Sequence, residues 1–131
     1  MTITLTLVIY MAIVTWLTIL AASFTRAKAW TRQGTMIALG NRDNLPEATA
    51  LAGRAERTAR NTAENFMLFA AIALVAHVAG RAGAKVDTGA EIFFWARLVF
   101  IPVYYAGIVY LRTAVWLVSI VGLAIMVVSI L

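Results

Sequence analysis

Residues 1–24, MTITLTLVIYMAIVTWLTILAASF, contain no Asp, Glu, Lys, Arg or His. A helix of about 20 apolar residues crosses the hydrocarbon of a bilayer. In lipid a helix satisfies every one of its own backbone groups, which few other structures can do. This run therefore commits the chain to a membrane, and the composition agrees. The chain is 63% hydrophobic and 13% charged, whereas soluble domains run near half and a quarter. A cleaved leader would start with a basic n-region, which is missing here. With no cysteine, disulfides, thiolate metal sites and cysteine nucleophiles are excluded. The net charge of +5 comes mainly from one loop, so it reads as membrane orientation rather than as nucleic-acid binding.

The 131 residues suit one domain. The pattern predicts an all-α, integral membrane four-helix bundle with spans at about 2–24, 62–80, 92–111 and 113–131. Between the first two spans, residues 25–60 hold seven Lys/Arg and three Asp/Glu. GNRDNLPE, residues 40–47, is the turn-rich centre of that loop. Helix 2 is expected to start near residues 46–49, with Pro46 in its first turn, and to end near Gly80. Residues 81–91 form a polar connection, and Arg112 and Thr113 form the turn before the last span. The positive-inside rule puts the basic loop in the cytoplasm and both termini opposite. No G-x-x-x-G motif marks a helix interface; alanines 63, 70, 73 and 76 suit close packing on helix 2.

The chemistry gathers at RAERTARNTAENF, residues 54–66. At about 100° per residue, Arg54, Arg57, Asn61 and Glu64 fall on one helical stripe. Arginine at a helix end often reaches to headgroups, and Arg60 has acids at helical spacing. Glu64, however, enters a span, and an ionisable group there usually faces protein. Two guanidiniums, an amide and a carboxylate suit a zwitterion, since arginine grips carboxylates bidentately and a carboxylate binds ammonium. In span 3, Arg97, Phe100, Tyr104 and Leu111 share a face, with Arg97 expected near the non-cytoplasmic surface, snorkelling or paired with Glu91. Tyr104, mid-span, needs a hydrogen-bond partner. His77 is the only histidine, and with no second ligand beside it no metal site is expected.

The pattern Arg54-x-x-Arg57-x-x-x-Asn61-x-x-Glu64, leading into an apolar helix, resembles the signature of the MAPEG family, the membrane-associated proteins in eicosanoid and glutathione metabolism. Ala96, Arg97, Tyr104, Gly107 and Arg112 match a second pattern of that family, and RTAVW, residues 112–116, resembles its bacterial branch. The resemblance implies a homotrimer, sited in a bacterial inner membrane. It also implies a site for glutathione, as co-substrate, between subunits near the cytoplasmic surface. Arg54, Arg57, Asn61 and Glu64 would hold the tripeptide, Tyr104 would flank it, and Arg26 or Lys28 would add a carboxylate contact. Arg112 would stand at the sulfur and favour its thiolate.

The activity expected is that of a glutathione-dependent transferase or peroxidase acting on lipophilic electrophiles, with membrane lipid as the other partner. The alternative is a non-catalytic protein of the same fold, lipid-binding or an accessory subunit. Phe100 favours that alternative, because it stands where catalytic members place Tyr or His. So does Arg112, one residue beyond the helical register of their arginine. A small multidrug exporter would need a membrane-embedded carboxylate in its first span, which has none.

Overall fold

The computed structural model describes residues 1–131 and is all-helical. Five helices follow in order: α1 (Ile3–Ala27), α2 (Arg32–Leu39), α3 (Ala50–Val78), α4 (Ala84–Ala106) and α5 (Val109–Ile130). α1, α3 and α5 are long and apolar enough to cross a membrane. α4 carries Lys85, Asp87, Glu91 and Arg97 along its length.

The starts of the first three helices are set by threonine caps. Thr2, Thr49 and Thr31 each accept a hydrogen bond from a backbone N–H three residues on, at 3.2, 3.1 and 2.9 Å, satisfying one orphan donor of the first turn. Thr49, not Pro46, therefore opens α3, and Pro46 stays in the preceding loop, its carbonyl accepting from Arg26. The short helix α2 lies inside the stretch expected to be loop. Gly34 makes it possible: a Cβ there would meet the Lys28 carbonyl oxygen at 2.0 Å.

The two later connections turn on left-handed glycines, the first at the expected Gly80 and the second at Gly107 rather than at Arg112 and Thr113. Beyond α3, Gly80 adopts φ 67°, and the N–H of Arg81 closes back onto the Ala76 carbonyl at 2.8 Å, a glycine cap. The expected polar connection 81–91 is thereby shortened, with α4 already under way at Ala84. At the other end of α4, Gly107 adopts φ 75°, and its N–H bonds the Tyr104 carbonyl at 3.0 Å. The break falls there rather than at Arg112 and Thr113. Both of those residues, and Leu111, belong to α5, where the Arg112 N–H already bonds the Ile108 carbonyl.

α4 lies along α5, and α1 along α3. The α4–α5 approach is fixed by Gly89 and Gly122, whose missing side chains let backbone meet backbone, as small residues allow between membrane helices. The core joins all four long helices. Phe69 of α3 and Phe93 of α4 stack with centroids 4.5 Å apart, surrounded by Leu7, Met11, Leu123 and Met126. Ala73 and Ala76 pack into the same core. Both phenylalanines are wholly buried, so Phe69→Ala is expected to cost about 3–5 kcal/mol, read as a lower thermal midpoint in detergent. An unchanged midpoint would show that the stack contributes nothing.

At the end opposite the basic loop, Asp87 of α4 takes the N-terminus of α1. Its Oδ1 accepts from the Thr4 N–H at 3.1 Å and from the Thr4 hydroxyl at 2.5 Å. The outward faces are greasy: Trp16 and Trp95 are each 62% exposed, a surface suited to lipid.

Candidate functional site

Helices α3 and α4 run antiparallel from the Gly80 turn, and that register decides which polar groups meet. Three steps of contact descend the seam. The Arg54 Nε donates to the Tyr105 carbonyl at 2.9 Å, one of the orphan acceptors at the end of α4. The Arg57 Nε donates to the Tyr104 hydroxyl oxygen at 3.2 Å. Deeper still, one Arg97 Nη donates to the Asn61 Oδ1 at 2.8 Å and to the Thr62 hydroxyl at 3.1 Å.

The lowest step corrects an expectation. Arg97 neither snorkels nor pairs with Glu91; it is 0% exposed and level with Asn61 on the stripe of α3. The early start of α4 puts it deep in that helix rather than near an end. Its guanidinium lies 4.1 Å from the centroid of the Phe100 ring, a cation–π contact that partly replaces lost hydration. Its Nε and the other Nη have no hydrogen-bond partner. Asn65 joins the network, its Nδ2 donating to the Asn61 carbonyl at 2.8 Å and to the Asn61 Oδ1 at 3.2 Å.

On the outer side of this seam a concavity of about 240 Å³ opens between α3, α4 and the start of α5. Asn61, Phe100, Tyr104, Arg112, Thr113 and Trp116 line it. The Arg112 guanidinium stands 4.7 Å from the Tyr104 ring centroid, and the Phe100 ring meets Tyr104 edge-on at 5.5 Å. Because Gly107 ends α4, Arg112 belongs to a new helix. A register counted along one continuous helix from Arg97 therefore does not decide where it points.

Of the residues expected in a site, the structure brings Asn61, Tyr104 and Arg112 together around the concavity, with Arg57 held on the Tyr104 hydroxyl. Arg54 is half-buried against the end of α4, and Glu64 is exposed on the same stripe. Arg26 and Lys28 lie elsewhere in the chain. Arg26 lines a separate hollow of about 260 Å³ with Arg42, Glu56 and Arg60. Lys28 caps α1 in a left-handed conformation beside Gly34, Asn44 and Pro46. Arg97, Thr62, Asn65 and Trp116 were missed as parts of this corner. The available signal was the pair Gly80 and Gly83: a hairpin turning there brings the start of α3 opposite the end of α4 and sets Arg97 against Asn61.

No curated protein and no solved structure matches the chain. The MAPEG family model does match, over residues 3–131. That span takes in the three membrane-crossing helices, the α3–α4 seam and the whole α5 wall of the concavity. With its helices and its polar corner both inside the match, the chain is an integral membrane protein of the MAPEG family.

Proposed function

We propose that the protein is a glutathione-dependent transferase or peroxidase acting on lipophilic electrophiles. One observation carries the reading: Asn61, Tyr104 and Arg112 share a concavity, and Arg57 holds the Tyr104 hydroxyl. Family membership points to glutathione and eicosanoid chemistry. The concavity, at about 240 Å³, falls just below the usual range for small-molecule sites of about 300–1,000 Å³, and one side is open. A second copy of the chain closes it in this reading. It would bring Arg26 or Lys28 to a carboxylate of the tripeptide, as a homotrimer of four-helix bundles would. In that assembly α4 is the third of four spans, with Lys85, Asp87 and Glu91 in its first turns at the far surface and Arg97 sealed inside.

The chemistry follows from charge. A free thiol titrates near about 8.5, and a neighbouring cation stabilises its conjugate base. Arg112 supplies that cation. The thiol proton leaves to water, and the thiolate attacks an electrophilic carbon arriving from the lipid. A carbon–sulfur bond forms as the leaving group departs. With a hydroperoxide instead, the thiolate attacks the terminal oxygen, the O–O bond breaks to leave a sulfenic acid and an alkoxide that takes a proton from water, and a second glutathione thiol displaces water from the sulfenic acid to give the disulfide.

Calorimetric titration of the purified oligomer with glutathione tests the reading. Saturable binding is expected, abolished in Arg57→Ala and in Glu64→Gln, followed by conjugation of an aryl halide. Absence of binding to the intact oligomer overturns it. The wholly buried Phe100, which gives the concavity an apolar wall, favours a second reading, a non-catalytic binding protein. That reading expects glutathione binding or lipid binding without any conjugation.

A further inference from the structure

The hydrogen-bond polarity of the concavity is set from outside it. Arginine carries five N–H donors and no acceptor, so any group that Arg97 or Arg57 touches must present an oxygen to it. Arg97 therefore fixes the Asn61 carboxamide with Oδ1 turned inward, at 2.8 Å. Asn65 adds a second donor to the same oxygen at 3.2 Å. The Asn61 Nδ2 makes no bond within the chain, and Asn61 lines the concavity. Tyr104 repeats the arrangement. Its hydroxyl oxygen accepts from the Arg57 Nε at 3.2 Å, which leaves its own O–H to point away, and Tyr104 lines the same concavity. Arg112 can only donate, whereas Thr113 spends its O–H on the Val109 carbonyl at 3.3 Å and keeps an acceptor oxygen on the α5 wall.

We propose that Arg97 is a positioning residue that makes the Asn61 side of this concavity a hydrogen-bond donor, so that its occupant presents an acceptor to Asn61: a carboxylate or a peptide carbonyl, never an ammonium. The inference deepens the glutathione reading and rests on it for the natural ligand. It assigns the ammonium of a zwitterionic ligand to the exposed Glu64, away from Asn61. It also gives the unpaired, wholly buried guanidinium of Arg97 a purpose beyond packing. A buried cation without an acid is costly to keep, and a Met in its place would leave the Asn61 amide oxygen held by Asn65 alone.

Asn61→Asp reads the polarity by its sign. The aspartate keeps an oxygen on Arg97 and turns a second oxygen outward in place of the N–H group. The unliganded variant is expected to melt at or above the wild-type temperature, while glutathione affinity falls at least tenfold. If affinity rises or is unchanged, the occupant offers a donor there and the inference is overturned.

Thermal shifts with glutarate, a dicarboxylate, and with 1,5-diaminopentane, a diammonium, separate the inference from the reading beneath it. Glutarate is expected to stabilise the wild type and the diamine not. If glutarate stabilises but glutathione does not bind, the glutathione reading falls and the donor at Asn61 stands. If neither glutarate nor glutathione binds, both fall. Arg97→Met is expected to reduce the glutarate-to-diamine preference at least tenfold, with partial return in Arg97→Lys. An unchanged preference would reduce Arg97 to a structural residue and overturn its assignment. Should Arg97→Met fail to fold, the Asn61→Asp result decides.

Discussion

Gly122→Val is expected to drive α4 and α5 apart and to lower the stability of the purified protein by at least about 3 kcal/mol. A Cβ at this position would lie 2.7 Å from the Gly89 carbonyl oxygen and 2.7 Å from the Phe93 backbone nitrogen. Neither atom belongs to a flexible side chain, so no rotamer change relieves the clash and the helix axes themselves must move. The damage spreads, because Phe93 is half of the central stack and Met126, one turn beyond Gly122, is wholly buried. Gly89→Val meets the Gly122 carbonyl at the same distance. The double variant is therefore expected to cost much less than the sum of the singles, since both disrupt one crossing. Gly83 supplies the control. Nothing lies within 4 Å of a Cβ built there, and its φ of 175° is extended backbone, so Gly83→Ala should fall within about 0.5 kcal/mol of wild type. Thermal melts in detergent, followed by far-UV circular dichroism, measure all four. A wild-type midpoint for Gly122→Val would mean that the helices do not touch at this point.

The second large effect concerns turnover. Under the proposed chemistry, Arg112→Ala should lower kcat for glutathione conjugation by about 10²–10³, the usual loss when one preorganised electrostatic partner of the reacting charge is removed. The side chain stands over the Tyr104 ring at the α5 wall of the concavity, whereas Arg54 and Arg57 are tied to the end of α4. Glutathione binding should therefore change by only a few-fold. The pH dependence gives a sharper reading. Arg112 lowers the pKa of the bound thiol, so thiolate persists below the ordinary thiol value. Without it the value returns toward about 8.5, and the rate should fall tenfold for each pH unit below that. Ultraviolet absorbance of the thiolate and the pH–rate profile follow both effects. An unchanged kcat would remove Arg112 from the chemistry.

The parts of this fold legible in the sequence are those governed by local composition. The uncharged run at the N-terminus is α1, and the apolar run at the C-terminus is α5, because no other structure hides so much backbone in lipid. The stripe of α3 was legible for the same local reason: its four polar residues lie within one helix, where spacing alone sets direction. The connections were harder, because Gly107 and Arg112 both look like turn residues and only the left-handed backbone at Gly107 decides between them. That choice moved Arg112 from a loop onto the wall of a cavity. The height of Arg97 was harder still. A charge counted from an assumed helix start at residue 92 falls near the surface; with α4 beginning at Ala84 it lies opposite Asn61. Depth in a membrane helix depends on where the previous turn ends, which is a property of two helices together. The role of Asn61 is hidden for a related reason: which end of its amide faces the cavity is fixed by a residue 36 positions away.

The clasp between Asp87 and Thr4 bears on how the chain is made. Thr4 emerges from the ribosome early, and the carboxylate that completes its helix follows 83 positions later. During synthesis the first helix must therefore wait in the bilayer, capped by Thr2 but with Thr4 unclasped, while α2, α3 and the beginning of α4 are produced. The clasp closes only afterwards, so a nascent chain stalled before Asp87 should hold α1 against α3 with its N-terminal turn unclasped. Final assembly is in this sense a closing of the circle, in which the last helical pair delivers the group that secures the first.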